Sequence, residues 1–401
     1  MATLHPRGAT GVNRAPRSGP FLATLLVALL ATACLANRTQ RSLLVLAPDS
    51  PIPVAGQPGS LAMGDVNEDA KPDIVVASAP GITVLLGQGD GRFRAASDSP
   101  IHVPERCTEM VLRDLTGDGK LDLALASHDT YNVILLFGDG HGGFALAPHS
   151  PVIMKGGQHP HTHGLDVGDF NGDGMLDLIT VNSEDNDVSI AFGDGMGGFT
   201  RAPSPFAVGS SPYPGALADL NADGHLDIIA TSTARRTPEQ EASSRALTVL
   251  FGDGRGDFRR ELVPLRTMLP WFVAVADLNN DTKPDLVVTH AERNELSVLL
   301  GDGKGAFSET NGSPFDLGHY AWHVAIADIN GDGIGDVAAA AGDVRVLLGD
   351  GQGGFAPAPG SPFATREGTW QLAVGDVNGD GKPDVATTNL EGESVTVLIA
   401  Q

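Results

Sequence analysis

A nine-residue acidic pattern, D-x-N-x-D-G-x-x-D, recurs seven times and restricts the fold more than any other feature of the chain. Its copies run from Asp65 to Asp73, Asp114 to Asp122, Asp169 to Asp177, Asp219 to Asp227, Asp277 to Asp285, Asp328 to Asp336 and Asp376 to Asp384. Successive copies start 49, 55, 50, 58, 51 and 48 residues apart. That period suits propeller blades or arrays and is longer than a leucine-rich or ankyrin repeat. Each repeat is only part of a fold, so the 401 residues do not imply two or three separate domains.

Every unit has the same anatomy. A short apolar run precedes the acidic loop (Leu61-Ala62-Met63, Val273-Ala274-Val275), and a second follows it (Ile74-Val75-Val76). A third run ends in Gly-Asp-Gly, as in Val133 to Leu136 before Gly138-Asp139-Gly140. A glycine-rich turn then leads to Phe93, Phe144, Phe199, Phe258, Phe307 or Phe355, a hairpin signature. A fourth run usually ends in Ser-Pro, as at Ser150-Pro151 and Ser361-Pro362, although one unit has Val263-Pro264. Four strands per unit is the layout of a propeller blade. The last unit stops after its third strand, Val395 to Ile399, while the segment Leu44 to Pro51 matches the fourth strand of other units. The N-terminal segment is therefore expected to complete the last blade and remove an open sheet edge. The reading is an all-β, seven-bladed β-propeller over residues 44–401, its ring closed by an N-terminal strand.

The loops read as calcium sites. A hard cation takes six to eight oxygens, and the pattern offers side-chain oxygens at positions one, three, five and nine. The expected ligands are Asp65, Asn67, Asp69 and Asp73; Asp114, Thr116, Asp118 and Asp122; Asp169, Asn171, Asp173 and Asp177; Asp219, Asn221, Asp223 and Asp227; Asp277, Asn279, Asp281 and Asp285; Asp328, Asn330, Asp332 and Asp336; and Asp376, Asn378, Asp380 and Asp384. Up to seven structural Ca²⁺ are expected. An EF-hand is excluded, because its bidentate acid stands at position twelve between helices. Glycine at position six permits a positive-φ turn. Ala70 and Thr282 replace it in the first and fifth loops, which are expected to bind more weakly. The competing reading is that these side chains only cap turns.

In this combination the units resemble FG-GAP (VCBS-type) repeats and are similar to the N-terminal β-propeller of integrin α subunits. The resemblance implies a propeller with calcium in its loops. It implies no single activity, because one fold serves many functions.

Residues 1–33 read as a signal peptide. They contain Arg7, Arg14 and Arg17, no acid, and an apolar run from Phe21 to Ala33 ending in Ala31-Thr32-Ala33. Residues 34–43 read as a short linker left after cleavage or lipidation. Leu30 to Cys34 resembles a bacterial lipobox with its leucine one place early, so a lipid anchor at Cys34 is the one membrane link expected. The expected location is extracellular or at the cell surface. Only two cysteines occur, which leaves Cys107 without a partner once Cys34 is lipidated or removed. The net charge of −23 becomes −26 without the first 33 residues, which argues against nucleic acid and anionic membranes as partners.

The residues six places before each loop's first Asp are Gly59, Thr108, His163, Tyr213, Trp271, Trp322 and Trp370, so all three tryptophans share one equivalent position. His163, Tyr213, Trp271, Trp322 and Trp370 are candidate ligand-binding residues at the channel mouth, with Glu109, His323 and Gln371 beside them as polar groups. The same parity along the strand also suits packing between blades. His159, His161 and His163 form a His-Pro-His-Thr-His run that reads as a polar loop or, if the rings share a face, a transition-metal site. The insertion from Ser232 to Arg245 reads as a solvated loop or a wall of that face. No nucleophile elbow, phosphate loop or zinc-type Cys/His spacing occurs. The expected function is therefore a non-catalytic, exported binding module for a glycan or an extracellular protein. The alternative is a polysaccharide lyase or hydrolase with its site at the channel mouth.

Overall fold

The computed structural model describes residues 42–401 apart from Pro80, Ser204, Pro214, Arg235 and Arg236. The expected signal peptide, residues 34–41 of the linker and the lipidation site at Cys34 lie outside the described residues. Strands between residues 44 and 400 form seven antiparallel sheets, six of them with their main strands in sequential order. Blade 1, for example, runs Gln57–Gly64, Asp73–Ala79, Gly81–Gly87 and Phe93–Ala95. Blade 2 runs Cys107–Arg113, Asp122–Ser127, Asn132–Gly138 and Phe144–Leu146.

The sequence pattern follows from the position of each strand in its blade. Second strands such as Asp122–Ser127 are buried at every residue, because both faces of the sheet meet neighbouring blades. They are accordingly continuous apolar runs rather than alternating ones. Outer strands such as Phe144–Leu146 are largely exposed. Each of the seven core clusters joins two adjacent blades. Val84 and Ile82 of blade 1 meet Leu123 and Leu125 of blade 2. Leu61, Ile74 and Val76 of blade 1 meet Val377, Ala386 and Val397 of blade 7, which carries the packing around the whole ring. Truncating one such leucine to alanine costs about 2–5 kcal/mol.

In blade 7 the last three strands, Thr369–Gly375, Asp384–Asn389 and Ser394–Ala400, are joined at their outer edge by Leu44–Leu46. Leu44 pairs with Ala400 and Leu46 with Leu398. Leu43 also donates its N–H to the Pro359 carbonyl at 3.0 Å, so this end of the expected linker is bonded to the propeller. The Ser-Pro motifs have a common purpose. The hydroxyl oxygen of Ser50 accepts the N–H of Val397 at 2.9 Å, and Ser99, Ser150, Ser313 and Ser361 do the same for Val84, Leu135, Val298 and Val346. Each serine thus fixes the outer segment to its blade's third strand.

The Ser232–Arg245 insertion lies between Asp227–Ala230 and Ala246–Gly252 of blade 4 and holds one short helix, α1 (Pro238–Ser243). Thr237 caps it, and the Gln240 side chain reaches back to the Thr237 N–H, a reciprocal cap written in the sequence as Thr-Pro-Glu-Gln. No helix among the described residues is long and apolar enough to cross a membrane.

Candidate functional site

The acidic loops all connect the first and second strands of their blades. Position six has positive φ in every copy, including Ala70 (65°) and Thr282 (67°). The first-position carboxylate shapes this turn by accepting the sixth-position N–H, as Asp65 does from Ala70 at 2.7 Å and Asp169 from Gly174 at 2.8 Å.

The ninth-position aspartate has a structural duty that the repeat pattern alone does not disclose. One oxygen accepts the N–H of the second loop residue, and the other accepts an N–H at the end of the third strand. Asp177 binds Phe170 (2.8 Å) and Gly193 (2.9 Å), Asp285 binds Leu278 (2.9 Å) and Gly301 (2.8 Å), and Asp384 binds Val377 (2.9 Å) and Ala400 (2.8 Å). The other four blades repeat the arrangement. Each strand-ending glycine lies so close to the loop that a Cβ on Gly138 would fall inside the shell of the Leu121 carbonyl oxygen. These residues therefore cap the turn whether or not an ion is bound.

The donor set fits a hard cation, since every side-chain ligand offered is an oxygen. Burial pushes Asp177, Asp227 and Asp384 up to about 6, against the pull of their N–H bonds, and the carboxylates at positions one and five push the same way. A cation would relieve that repulsion. Among the described residues, however, no loop brings three carboxylates within 4.8 Å of one another, so an ion would have to draw them inward. The first and fifth loops differ again. Lys71 bonds Asp69 at 3.1 Å and Lys283 bonds Asp281 at 3.0 Å, so a lysine already occupies the fifth-position carboxylate where position six lacks glycine.

At the opposite ends of the first strands lies a recess of about 250 Å³. All seven equivalent residues, Gly59, Thr108, His163, Tyr213, Trp271, Trp322 and Trp370, line it. In the sequence these residues share parity with the apolar positions four and two before the loop's first Asp, but in five blades the pairing of first and second strands slips between them. The register shifts between Pro58 and Ser60, Cys107 and Glu109, Thr162 and Gly164, Pro270 and Val273, and Thr369 and Leu372. A β-bulge inserts one residue and re-aims its side chain, so residues at this position face the recess as well as a neighbour. The rings form an arc. Centroid separations are 4.4 Å from His163 to Tyr213, 3.9 Å to Trp271, 4.9 Å to Trp322 and 4.6 Å to Trp370. All five stay partly exposed.

Polar groups line the rest. The Gln371 side chain accepts the Leu61 N–H at 2.8 Å and donates to Glu109 at 3.0 Å, which ties blades 7, 1 and 2 together at the channel. Burial pushes the Glu109 carboxyl up to about 8, only partly offset by that bond and reinforced by Asp166. Glu109 is thus largely protonated at neutral pH, a hydrogen-bond donor in an aromatic surround. Burial holds His323 down to about 3, and its Nδ1 has no hydrogen-bond partner.

The His-Pro-His-Thr-His run is not a simple polar loop. His161 and His163 place their Nε2 atoms 2.6 Å apart, and His128, from the connector after Asp122–Ser127, completes a trio. His159 does not join it. Sequence reasoning missed His128, although its place between second and third strands of blade 2 puts it on this face. The insertion also bears on the site. Thr233, Ala234 and Gln240 wall a polar depression of about 470 Å³ that shares Tyr213 and Trp271 with the recess and includes His161.

Seven blades, each with an acidic loop between its first two strands, define a repeat propeller of a recognisable class. The chain belongs to the FG-GAP-like repeat family, whose pattern matches residues 65–125, 114–180, 169–230, 277–339 and 337–387. The gap between 230 and 277 contains the helical insertion. No curated protein matches the sequence. Among solved structures, it is similar to an Agrocybe aegerita lectin described for specific recognition of non-reducing terminal N-acetylglucosamine, with TM-score 0.56, 20% identity, and coverage of 84% of this chain and 86% of that one. It is also similar to BBS1N solved in complex with ARL6DN, with TM-score 0.62, 10% identity, and coverage of 90% and 98%. At these identities the likeness is one of fold.

Proposed function

We propose that the protein is an exported, calcium-stabilised binding propeller whose aromatic recess takes the end of a glycan. The observation that carries this reading is the convergence of seven equivalent positions on one recess, with Tyr213, Trp271, Trp322 and Trp370 left partly exposed. Aromatic rings stack on the apolar faces of sugars while a few polar groups fix orientation. Glu109, Gln371 and His163 are placed to supply those bonds. A recess of about 250 Å³ suits a terminal sugar better than a long chain lying across the disc. The Agrocybe aegerita lectin, described for a non-reducing terminal sugar, supports the same class of ligand. Calcium enters as a structural ion in the loops, strongest in the third, fourth, sixth and seventh, where asparagine holds position three and glycine position six. Export rests on residues 1–33 and agrees with weak oxygen sites of the kind filled at extracellular calcium levels. The test is a glycan array probed with wild type and Trp322→Ala in calcium. Binding to one glycan class, lost in the variant, supports the reading; equal signal from both, or none from wild type, counts against it.

A second reading keeps the glycan and adds turnover, since Glu109 is a carboxyl held protonated near neutrality, the state a general acid needs. Product release from a polysaccharide, abolished in Glu109→Gln, would favour it.

A further inference from the structure

We infer that His128, His161 and His163 form a binding site for a late first-row divalent cation of the Zn²⁺ class, at the rim of the aromatic recess. One ring nitrogen from each lies within 4.8 Å of the other two. Among the described residues this is the one group of three histidine, cysteine or acidic side chains brought so close together. Three neutral imidazoles are a donor set for Zn²⁺, Ni²⁺ or Cu²⁺ and not for Ca²⁺, so the site is distinct in chemistry from the acidic loops.

The trio is assembled by the fold. His161 and His163 flank Thr162, which is buried and bonded on three sides: its N–H donates to the His128 carbonyl (3.4 Å), its hydroxyl to the Thr130 carbonyl (3.3 Å), and its own carbonyl accepts the Thr108 hydroxyl (3.0 Å). The His161 carbonyl accepts the Ser183 N–H at 2.8 Å, and the His128 N–H donates to the Arg106 carbonyl at 2.9 Å. The Nε2 atoms of His161 and His163 face each other at 2.6 Å, so a proton or a cation must lie between their lone pairs. Tetrahedral Zn–N bonds of about 2.0–2.1 Å set nitrogens roughly 3.3 Å apart, so a small opening of this pair admits the ion.

His128 brings a further feature of metal sites. Its Nδ1 bonds the Asp129 carboxylate at 2.6 Å, which fixes the ring and leaves Nε2 for a metal. Three protein ligands leave a fourth position open. His128 and His163 line the aromatic recess and His161 lines the polar depression beside it, so an oxygen of a ligand in either space can reach that position. The site stands whether or not the recess takes a glycan.

The test uses the full chain kept in excess calcium, so that the acidic loops are saturated. Zn²⁺ is titrated calorimetrically, and Co²⁺ is added separately to read its visible ligand-field bands. The expected result is one equivalent bound, with the intense bands of a tetrahedral nitrogen site. His161→Ala and His163→Ala abolish both signals while keeping the wild-type thermal melt in calcium, and His159→Ala keeps both. Asp129→Asn weakens binding by about tenfold or more. Absence of binding in wild type overturns the inference, as does an undiminished equivalent in His161→Ala.

Discussion

Asp285→Ala removes a ninth-position aspartate from the loop where a cation is least expected. Asp285 is fully buried and accepts two backbone N–H groups, from Leu278 at 2.9 Å and Gly301 at 2.8 Å. Truncation leaves both donors buried and without an acceptor. A hydrogen bond to a charged group contributes about 1.5–3 kcal/mol net, so the pair together is worth about 3–6 kcal/mol. That is a large share of the ~5–15 kcal/mol that holds a typical domain folded. Thr282 and Lys283 both disfavour an ion here, which keeps the measurement simple. The assay is urea unfolding of wild type and variant, once in calcium and once in excess chelator. A structural staple gives the same loss in both conditions. A residue serving only as an ion ligand gives a loss in calcium that disappears in chelator. Asp285→Asn keeps one acceptor oxygen but turns an NH₂ toward the other donor, so at least half of the loss should remain. A variant within about 0.5 kcal/mol of wild type in chelator, the range of an ordinary surface change, refutes the reasoning.

Further expectations follow from the same structure. Thr282 holds a φ of 67°, so Thr282→Gly should stabilise the protein by roughly 0.5–1 kcal/mol, the left-handed strain of about 1–2 kcal/mol less the entropy glycine adds to the unfolded chain; a lower melting temperature contradicts this. Glu109 is pushed up to about 8 in the folded state, above an unfolded value of about 4.3. Its contribution to stability is complete below about pH 4 and is lost as pH rises through 8. Glu109→Gln should therefore gain on wild type across that window, and parallel melting-temperature curves would exclude the shift. Excess chelator should lower the melting temperature and added Ca²⁺ restore it, by about 2.7 kcal/mol for each site at a hundredfold excess over its Kd; an unchanged melt removes calcium from the account.

Features encoded locally were legible in the chain. The acidic loops, the strand-ending glycines and the offset of the termini are short-range patterns, and the column of Gly59, Thr108, His163, Tyr213, Trp271, Trp322 and Trp370 follows from counting back along one strand. What depended on pairing or on distant contacts was not. The β-bulge beside Trp370 is a register slip against Asp384–Asn389 and leaves no mark on the first strand alone, so the parity argument for packing missed it. Glu109 and Gln371 stand 262 residues apart and meet only because the ring closes. His128 joins His161 and His163 because the connector of one blade overhangs the entry of the next. The ninth aspartates read as ligands from their spacing, yet their two N–H partners are visible only once the third strand returns to the loop.

Trp271, Trp322 and Trp370 are the only tryptophans in the chain, and all three line the recess. Intrinsic tryptophan fluorescence of the calcium-loaded protein, titrated with soluble glycans that include terminal N-acetylglucosamine, therefore tests the proposed function at its site. A saturable change with one glycan class, lost in Trp322→Ala, is the predicted result. No change with any member of the panel would contradict a glycan-binding recess and leave the arc as a packing element between blades.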